Sequence, residues 1–503
     1  MARVFTHMKR FAILCHRWMG AAFCILFAWW FVSGIFMMYW DYPDVSPADR
    51  LARAKPLDAS QVKLSAEAAY ATLKSSDAPR SIRLVTFDGR PAYDFRIGRS
   101  QAMVFADTGE QQDVFSPELN LRTAAAWTGH PASAASVQEV TEPDQWTLEG
   151  GLRDLRPLWK YSWPDGDQVY VSENSGEVVQ FTTRSSRLFA YLGPIPHWLY
   201  YTPLRRNGQL WSRVVIWASG FATVAALLGL LAGLMMYSPS RRVSIPYAGP
   251  KRLHHILGLF FGVIACTWAF SGMLSMDPFP AVSGGQGRGV GGGARIPGAL
   301  RGKRPPLSGY SAKSPREALD QLGASFQARQ LEFASFAGEP VYIASGSRGE
   351  SRIVPIEGRP ADSFDSERIL QIATAAASPA TVSEARVMTR YDAYYLDRHG
   401  ERPLPVLFVK LNDAAGSRYY IDPKTAQIAG SYRSSGAAWV NRWLYHGMHS
   451  MNFPWLYNYP PAWDVVVLTL MLGGTALSVT SVIIGLQLVR RKVFLRRAAE
   501  TSP

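Results

Sequence analysis

The residues best suited to chemistry are five histidines that border apolar stretches: His16, His254, His197, His446 and His449. HRWMG at 16–20 is followed by Ser33-Gly34, and HHILG at 254–258 by Ser271-Gly272, at a constant offset of 238 residues (16 to 254, 20 to 258, 34 to 272). A neutral imidazole is a common axial ligand of haem iron, and bundles build such sites from side chains on facing helices. Two bis-histidine haems fit the pattern, one near each end of a four-helix bundle. The competing reading of any one of these residues is a polar anchor at a membrane surface. Repetition at both ends favours ligation. His255 falls outside the repeat register, and His446 and His449, three apart on one helical face, compete for a single role. His7, His130 and His399 read as ordinary polar residues of a tail or of soluble loops. Cys15, Cys24 and Cys266 all lie in or beside apolar stretches, so no disulfide framework and no cysteine-based metal site is expected. No catalytic triad or carboxylate pair stands out. The chemistry on offer is electron transfer.

The elements that must hold these histidines are four charge-free stretches, Trp18–Trp40, Val214–Ser240, Ile256–Met276 and Val465–Val489. Each exceeds the roughly 20 residues that cross a hydrocarbon core. The mean hydropathy of −0.05 conceals this alternation of apolar and polar blocks. We place membrane helices at 18–40, 211–237, 254–276 and 464–489. The first is too long, and lacks the cleavage site, to be a signal peptide. From His16 to Gly34 a helix rises about 27 Å at about 1.5 Å per residue, so the two histidine levels divide the membrane between them. Residues 1–17, 238–253 and 490–503 hold 13 basic residues against Glu500 alone, and are expected to be cytoplasmic. They carry most of the net charge of +14, so the basic balance reports topology and calls for no nucleic acid. The expected class is an integral, α-helical membrane protein with four transmembrane helices arranged as an internal duplication and two extracytoplasmic α+β domains.

Those domains occupy 41–210 and 313–463. Both show a helical pattern before strand-like runs: Ala66 to Leu73 before SIRLVTF, and Pro315 to Leu322 before LEFASF. Both end in a strand, a turn and a strand, QVYVSENSGEVV at 168–179 and SRYYIDPKTAQIA at 417–429, and DQWTL at 144–148 mirrors DAYYL at 392–396. Each reads as two small α+β units in tandem. HWLYYTPL at 197–204 corresponds to RWLYHGMH at 442–449, which sets His197 opposite Arg442 and His449 opposite Leu204. Residues 277–312, rich in glycine and arginine, read as a flexible linker. Trp127, Trp146, Trp159 and Trp163 read as core of the first domain or a platform for a bulky ligand; Trp29, Trp30 and Trp268 read as packing or as lining between the two sites.

HRWMG and HHILG opening apolar helices, WLYHGMHSMNFP before the last helix, and YVSENSGEVV and YYIDPKTAQIA closing the soluble segments together resemble the PepSY-associated transmembrane proteins, along essentially the whole chain. The resemblance implies a four-helix core of a bacterial inner membrane with periplasmic PepSY-like domains and cytoplasmic termini. It implies a haem-containing oxidoreductase that releases iron from a ferric siderophore or other ferric chelate. His16 and His254 would carry the cytoplasmic-side haem b, and His197 with His446 or His449 the other. The cytoplasmic segments leave no room for a flavin or nicotinamide fold, so electrons are expected from a quinol in the bilayer or a separate donor protein. The alternative is a non-redox PepSY protein that binds peptides or regulates peptidases. The sequence leaves the oligomeric state open.

Overall fold

A computed structural model of the chain describes every residue except 1, 99, 239–243, 279–294, 348, 399, 435 and 501–503. Arg241, Arg242, His399 and most of the glycine-rich segment therefore lie outside the described residues. Four helices are long and apolar enough to cross a membrane: α1 (Ala2–Met37), α2 (Gly208–Met236), α3 (Gly249–Leu274) and α4 (Ala462–Glu500). α1 packs on α2 and α4, and α3 packs on the same two, so the helices close into a ring. Away from the helix ends the backbone bonds are made within each helix, which is what an apolar surround demands.

All four helices begin before the charge-free stretches do. α1 starts at Ala2 and α3 at Gly249, so His16 and His254 lie inside helices rather than at their mouths. Charged side chains need not end a helix, since their long stems carry the charge to a polar partner; Lys9 Nζ donates to the Met235 carbonyl at the end of α2 (3.2 Å).

Midway along the bundle two glycines of α4 receive aromatic rings. A Cβ on Gly474 would stand 2.1 Å from the Phe31 ring of α1, and one on Gly473 2.2 Å from the Phe261 ring of α3. Phe31 in turn lies 5.8 Å from Trp268. These rings fill the bundle between its two ends.

The soluble segments follow α1 and α3. In the first, a helix at Ala66–Thr72 leads to β1 (Ser81–Phe87), β2 (Arg90–Ile97), β3 (Ser100–Phe105) and β4 (Gln111–Gln112). A helix at Pro117–Thr128 then leads to β5 (Ser136–Val140), β6 (Leu158–Ser162), β7 (Gln168–Ser172) and β8 (Val178–Thr182). The second segment runs in the same order. A helix at Pro315–Leu322 precedes β9 (Gln330–Phe336), β10 (Glu339–Ser345) and β11 (Ser351–Pro355). A helix at Ser366–Ala376 precedes β12 (Val382–Met388), β13 (Val406–Leu411), β14 (Ser417–Asp422) and β15 (Gln427–Arg433). The late units are antiparallel four-stranded sheets, β5 to β8 and β12 to β15, each in sequential order. Each contains a buried tyrosine that donates to an aspartate of the mirrored motifs, Tyr170 to Asp144 (2.7 Å) and Tyr420 to Asp392 (2.8 Å). Burial and the adjacent carboxylate push both hydroxyls far above the ordinary tyrosine range.

The early units do not stay separate. β1 pairs with β9 through Arg83 with Glu332, Leu84 with Leu331 and Val85 with Gln330, giving one seven-stranded sheet in the order β11-β10-β9-β1-β2-β3-β4. One core lies against it, combining Leu84, Tyr93 and Phe95 with Leu319, Leu331 and Tyr342. The stretch after residue 294 is no linker: Arg295–Arg301 is a helix whose Ile296 and Leu300 are fully buried, with Phe336 and Ile369 in the same core. Its apolar pair, four residues apart on one helical face, outweighs the local glycine and arginine.

Leu331 has no exposed surface. Leu331→Ala should destabilise the soluble region by about 2–5 kcal/mol, read from denaturant unfolding followed by near-UV circular dichroism. A loss close to zero would mean that the β1–β9 junction is not part of a shared core.

Candidate functional site

At the end of the bundle where α1 and α3 begin, His16 and His254 face each other with ring centroids 6.1 Å apart and planes inclined by 25°. His16 Nδ1 lies 2.9 Å from the Ala225 carbonyl of α2. The ring rests on Gly229, where a Cβ would come within 2.4 Å of Cε1. His254 Nδ1 lies 3.1 Å from Thr480 Oγ1 and 3.3 Å from Ser481 Oγ of α4. His255 points away, its buried ring 5.7 Å from Tyr247.

At the end nearer the soluble segments, His197 and His449 also stand 6.1 Å apart, their planes inclined by 65°. His197 Nδ1 lies 3.2 Å from the Trp30 carbonyl and 3.1 Å from Ser33 Oγ, both on α1. His449 Nδ1 lies 3.0 Å from Ser271 Oγ on α3. The serines of the two Ser-Gly repeats are therefore the seats of these rings, and Gly34 and Gly272 lie within 3.5 Å and 3.6 Å of their Cε1 atoms, measured from an added Cβ. The pairs are separated by the rise from His16 to Trp30 along α1, roughly 21 Å at about 1.5 Å per residue.

The hydrogen bonds fix the tautomer of every ring. A carbonyl only accepts, so His16 and His197 carry their proton on Nδ1. Thr480 and Ser481 already donate to the Leu477 carbonyl (2.7 and 3.0 Å), and Ser271 to that of Trp268 (3.2 Å), so these hydroxyls accept from His254 and His449. All four imidazoles thus present an Nε2 lone pair that takes no hydrogen bond among the described residues. Holding the remote N–H on a carbonyl or hydroxyl is how proteins orient histidine ligands of metals.

The spacing suits one metal between each pair. With ligand bonds of about 2.0–2.1 Å, an imidazole centroid sits roughly 3 Å from the metal, and two opposed rings stand roughly 6 Å apart. Beside His197 and His449 opens a cavity of about 290 Å³, walled by Phe27, Trp30, Val215, Ala265, Trp268 and Tyr445 among others. The wall suits a flat apolar ring system. Trp268 is fixed there by donation from Nε1 to the Met448 carbonyl (2.9 Å), whereas Trp29 is half exposed on the outside of the bundle. Trp146 and Trp163 are buried in the first soluble segment, with Trp127 and Trp159 packed against the same cores.

His446 does not join the pair. It is exposed, its ring 4.5 Å from Tyr445. The sequence register that set His197 opposite Arg442 also gives way. Leu199 and Met451 both end their short helices at positive φ (53° and 50°). Trp211 Nε1 donates to the Trp198 carbonyl (2.9 Å), and Trp463 Nε1 to that of Ser450 (3.0 Å). Every one of these relations recurs 252 residues on (197 to 449, 199 to 451, 211 to 463), seven residues from the offset that aligning the WLY triplets gives. Identical letters at 198–200 and 443–445 misled because the second approach is longer by two turns. Arg442 is instead buried and bonds Asn452 through Oδ1 (2.7 Å) and the carbonyl (2.8 Å). Gly229 and Gly473-Gly474 were missed by sequence reasoning. The glycine pair inside an apolar helix was the available signal.

Four membrane-crossing helices with α+β units between them define a multi-pass membrane protein with soluble regions. A comparison with known families matches residues 13–338 to the PepSY-associated TM region. The chain belongs to that family. The matched span holds α1 to α3 with His16, His197 and His254, while His449 and α4 lie beyond it. No curated protein matches the chain.

Trp211→Phe and Trp463→Phe each remove one indole hydrogen bond to the turn that carries a paired histidine. Each should cost about 1 kcal/mol, seen as similar falls in melting temperature. A loss in only one of them would break the equivalence of the two turns.

Proposed function

We propose that this protein is a haem-containing transmembrane electron-transfer protein that reduces a ferric siderophore or other ferric chelate on the periplasmic side and so releases iron. His16 and His254 would hold one haem b, His197 and His449 a second. The observation that carries this reading is the set of four imidazoles, paired at 6.1 Å and all fixed as Nδ1–H tautomers. Haem held by two imidazoles supplies reversible one-electron chemistry at its iron. The chain's own contribution is to orient the rings through Ala225, Trp30, Ser33, Ser271, Thr480 and Ser481, and to exclude water with the Phe31, Phe261 and Trp268 packing between the two levels. No side chain need act as acid, base or nucleophile.

The orientation we infer places the start of α1 and the end of α4 in the cytoplasm, because basic residues gather at that end of the bundle. It puts the His16 and His254 pair near the inner leaflet, within reach of a quinol or a donor protein. It puts the pair His197 and His449 beneath the soluble units, where a ferric acceptor would arrive. The common element order of the two segments, and the turns repeated at 252 residues, support an internal duplication.

The detergent-purified protein should show about two low-spin b-type haems per chain by pyridine haemochrome assay. His16→Ala and His254→Ala should each lose one and keep the other. His197→Ala and His449→Ala should lose the complementary one, and His446→Ala should keep both. Absence of haem after expression with added precursor would defeat the proposal and favour a non-redox, peptide-binding role. Full haem content without reduction of ferric chelates would retain electron transfer and remove the iron substrate.

A further inference from the structure

We propose that His130, Asp165 and Asp167 form a binding site for a first-row divalent cation, of the Zn²⁺ or Fe²⁺ kind, on the first soluble segment. Two separate stretches of chain build it. His130 follows the helix Pro117–Thr128, which Gly129 ends at φ 76°. Asp165 and Asp167 lie in the turn between β6 and β7, closed by bonds from Trp163 N–H to the Asp167 carbonyl (3.0 Å) and from Gly166 N–H to the Trp163 carbonyl (2.9 Å). Gly166, at φ 98°, supplies a backbone conformation that favours glycine. The two stretches are pinned together where Trp163 Nε1 donates to the Pro131 carbonyl (3.1 Å).

His130 Nε2 lies 2.7 Å from Asp165 Oδ2 and 3.5 Å from Asp167 Oδ2. The three donor atoms all fall within 4.8 Å of one another. A tetrahedral ion with bonds of about 2.0–2.2 Å needs its donors roughly 3.3–3.5 Å apart, so changes of no more than about 1.5 Å in any donor separation complete three corners. Solvent reaches all three side chains (33%, 47% and 21% exposed), which leaves a fourth position for water or an exchanging ligand. Imidazole together with carboxylate selects a borderline first-row ion over Ca²⁺ or Mg²⁺, which prefer oxygen alone.

A histidine–aspartate ion pair would need only one of these carboxylates. Among the described residues neither Asp165 nor Asp167 is ion-paired to Lys or Arg. The two arginines nearest the turn are bonded to its backbone, Arg184 to the Pro164 carbonyl (2.6 Å) and Arg187 to that of Gly166 (2.8 Å), with Arg187 close enough to interact with the Asp167 charge. Two carboxylates from one turn thus converge on a single imidazole from a separate stretch of chain, the donor arrangement that a cation would take up. The assignment is independent of haem or of any redox role.

The test is Zn²⁺ titration by calorimetry and Co²⁺ titration by visible absorption, on the full chain in detergent, against His130→Ala, Asp165→Asn and Asp167→Asn. The wild type should take up one equivalent that all three variants lose or bind about tenfold or more weakly, together with the Co²⁺ ligand-field bands. Asp167→Asn keeps size and turn geometry, so it decides the matter if His130→Ala misfolds. Equal uptake by the wild type and Asp167→Asn would overturn the site and leave an ion pair between His130 and Asp165.

Discussion

Everything in the bundle answers to the need of a buried imidazole to give away its proton. A ring N–H left without an acceptor in an apolar surround costs about 1–3 kcal/mol. Each of the four rings finds its acceptor on an adjacent segment, so the hydrogen bonds are also the ties of the bundle. His16 binds α1 to α2, and His254 binds α3 to α4. His197 and His449 bind the turns before α2 and α4 back onto α1 and α3. The acceptors are either backbone carbonyls or hydroxyls that already spend their proton inside their own helix. That arrangement leaves one lone pair per ring without a hydrogen bond among the described residues, and the pairing of rings follows from how the helices close.

Glycine sets how near the helices can come. Gly229 admits the His16 ring, and Gly473 and Gly474 admit Phe261 and Phe31. Membrane helices gain no hydrophobic energy from leaving lipid, so close packing at small residues has to hold them together. In this bundle the small residues accept large aromatic side chains as well as neighbouring backbone.

The sequence was informative where a single physical rule dominates. Charge-free length marked the four helices, and the period of two marked SIRLVTF and LEFASF as strands, now β1 and β9. His16 and His254 were legible as a pair because the repeat around them is contiguous. The opposite pair was obscured by WLY, whose identical letters fall at different turns of the approach, whereas the conformational signs, Leu199 with Met451 and Trp211 with Trp463, are visible only in three dimensions. The helix at Arg295–Arg301 was hidden by its composition: two buried side chains, Ile296 and Leu300, decide it. The joining of β1 to β9 was not legible at all, since nothing local to either strand specifies a partner in the other segment.

That joining has a consequence for how the chain is made. The ribosome finishes β1 by residue 87 but does not supply β9 until residues 330–336 emerge. At about 5–20 residues per second the interval is on the order of ten to fifty seconds. Throughout it, two helices insert and turn while β1 stands as an open edge on a four-stranded sheet, with its ladder groups unpaired. Open edges are the usual starting point of misassembly between chains. The newborn first segment therefore has to wait for the second half of the polypeptide to close it.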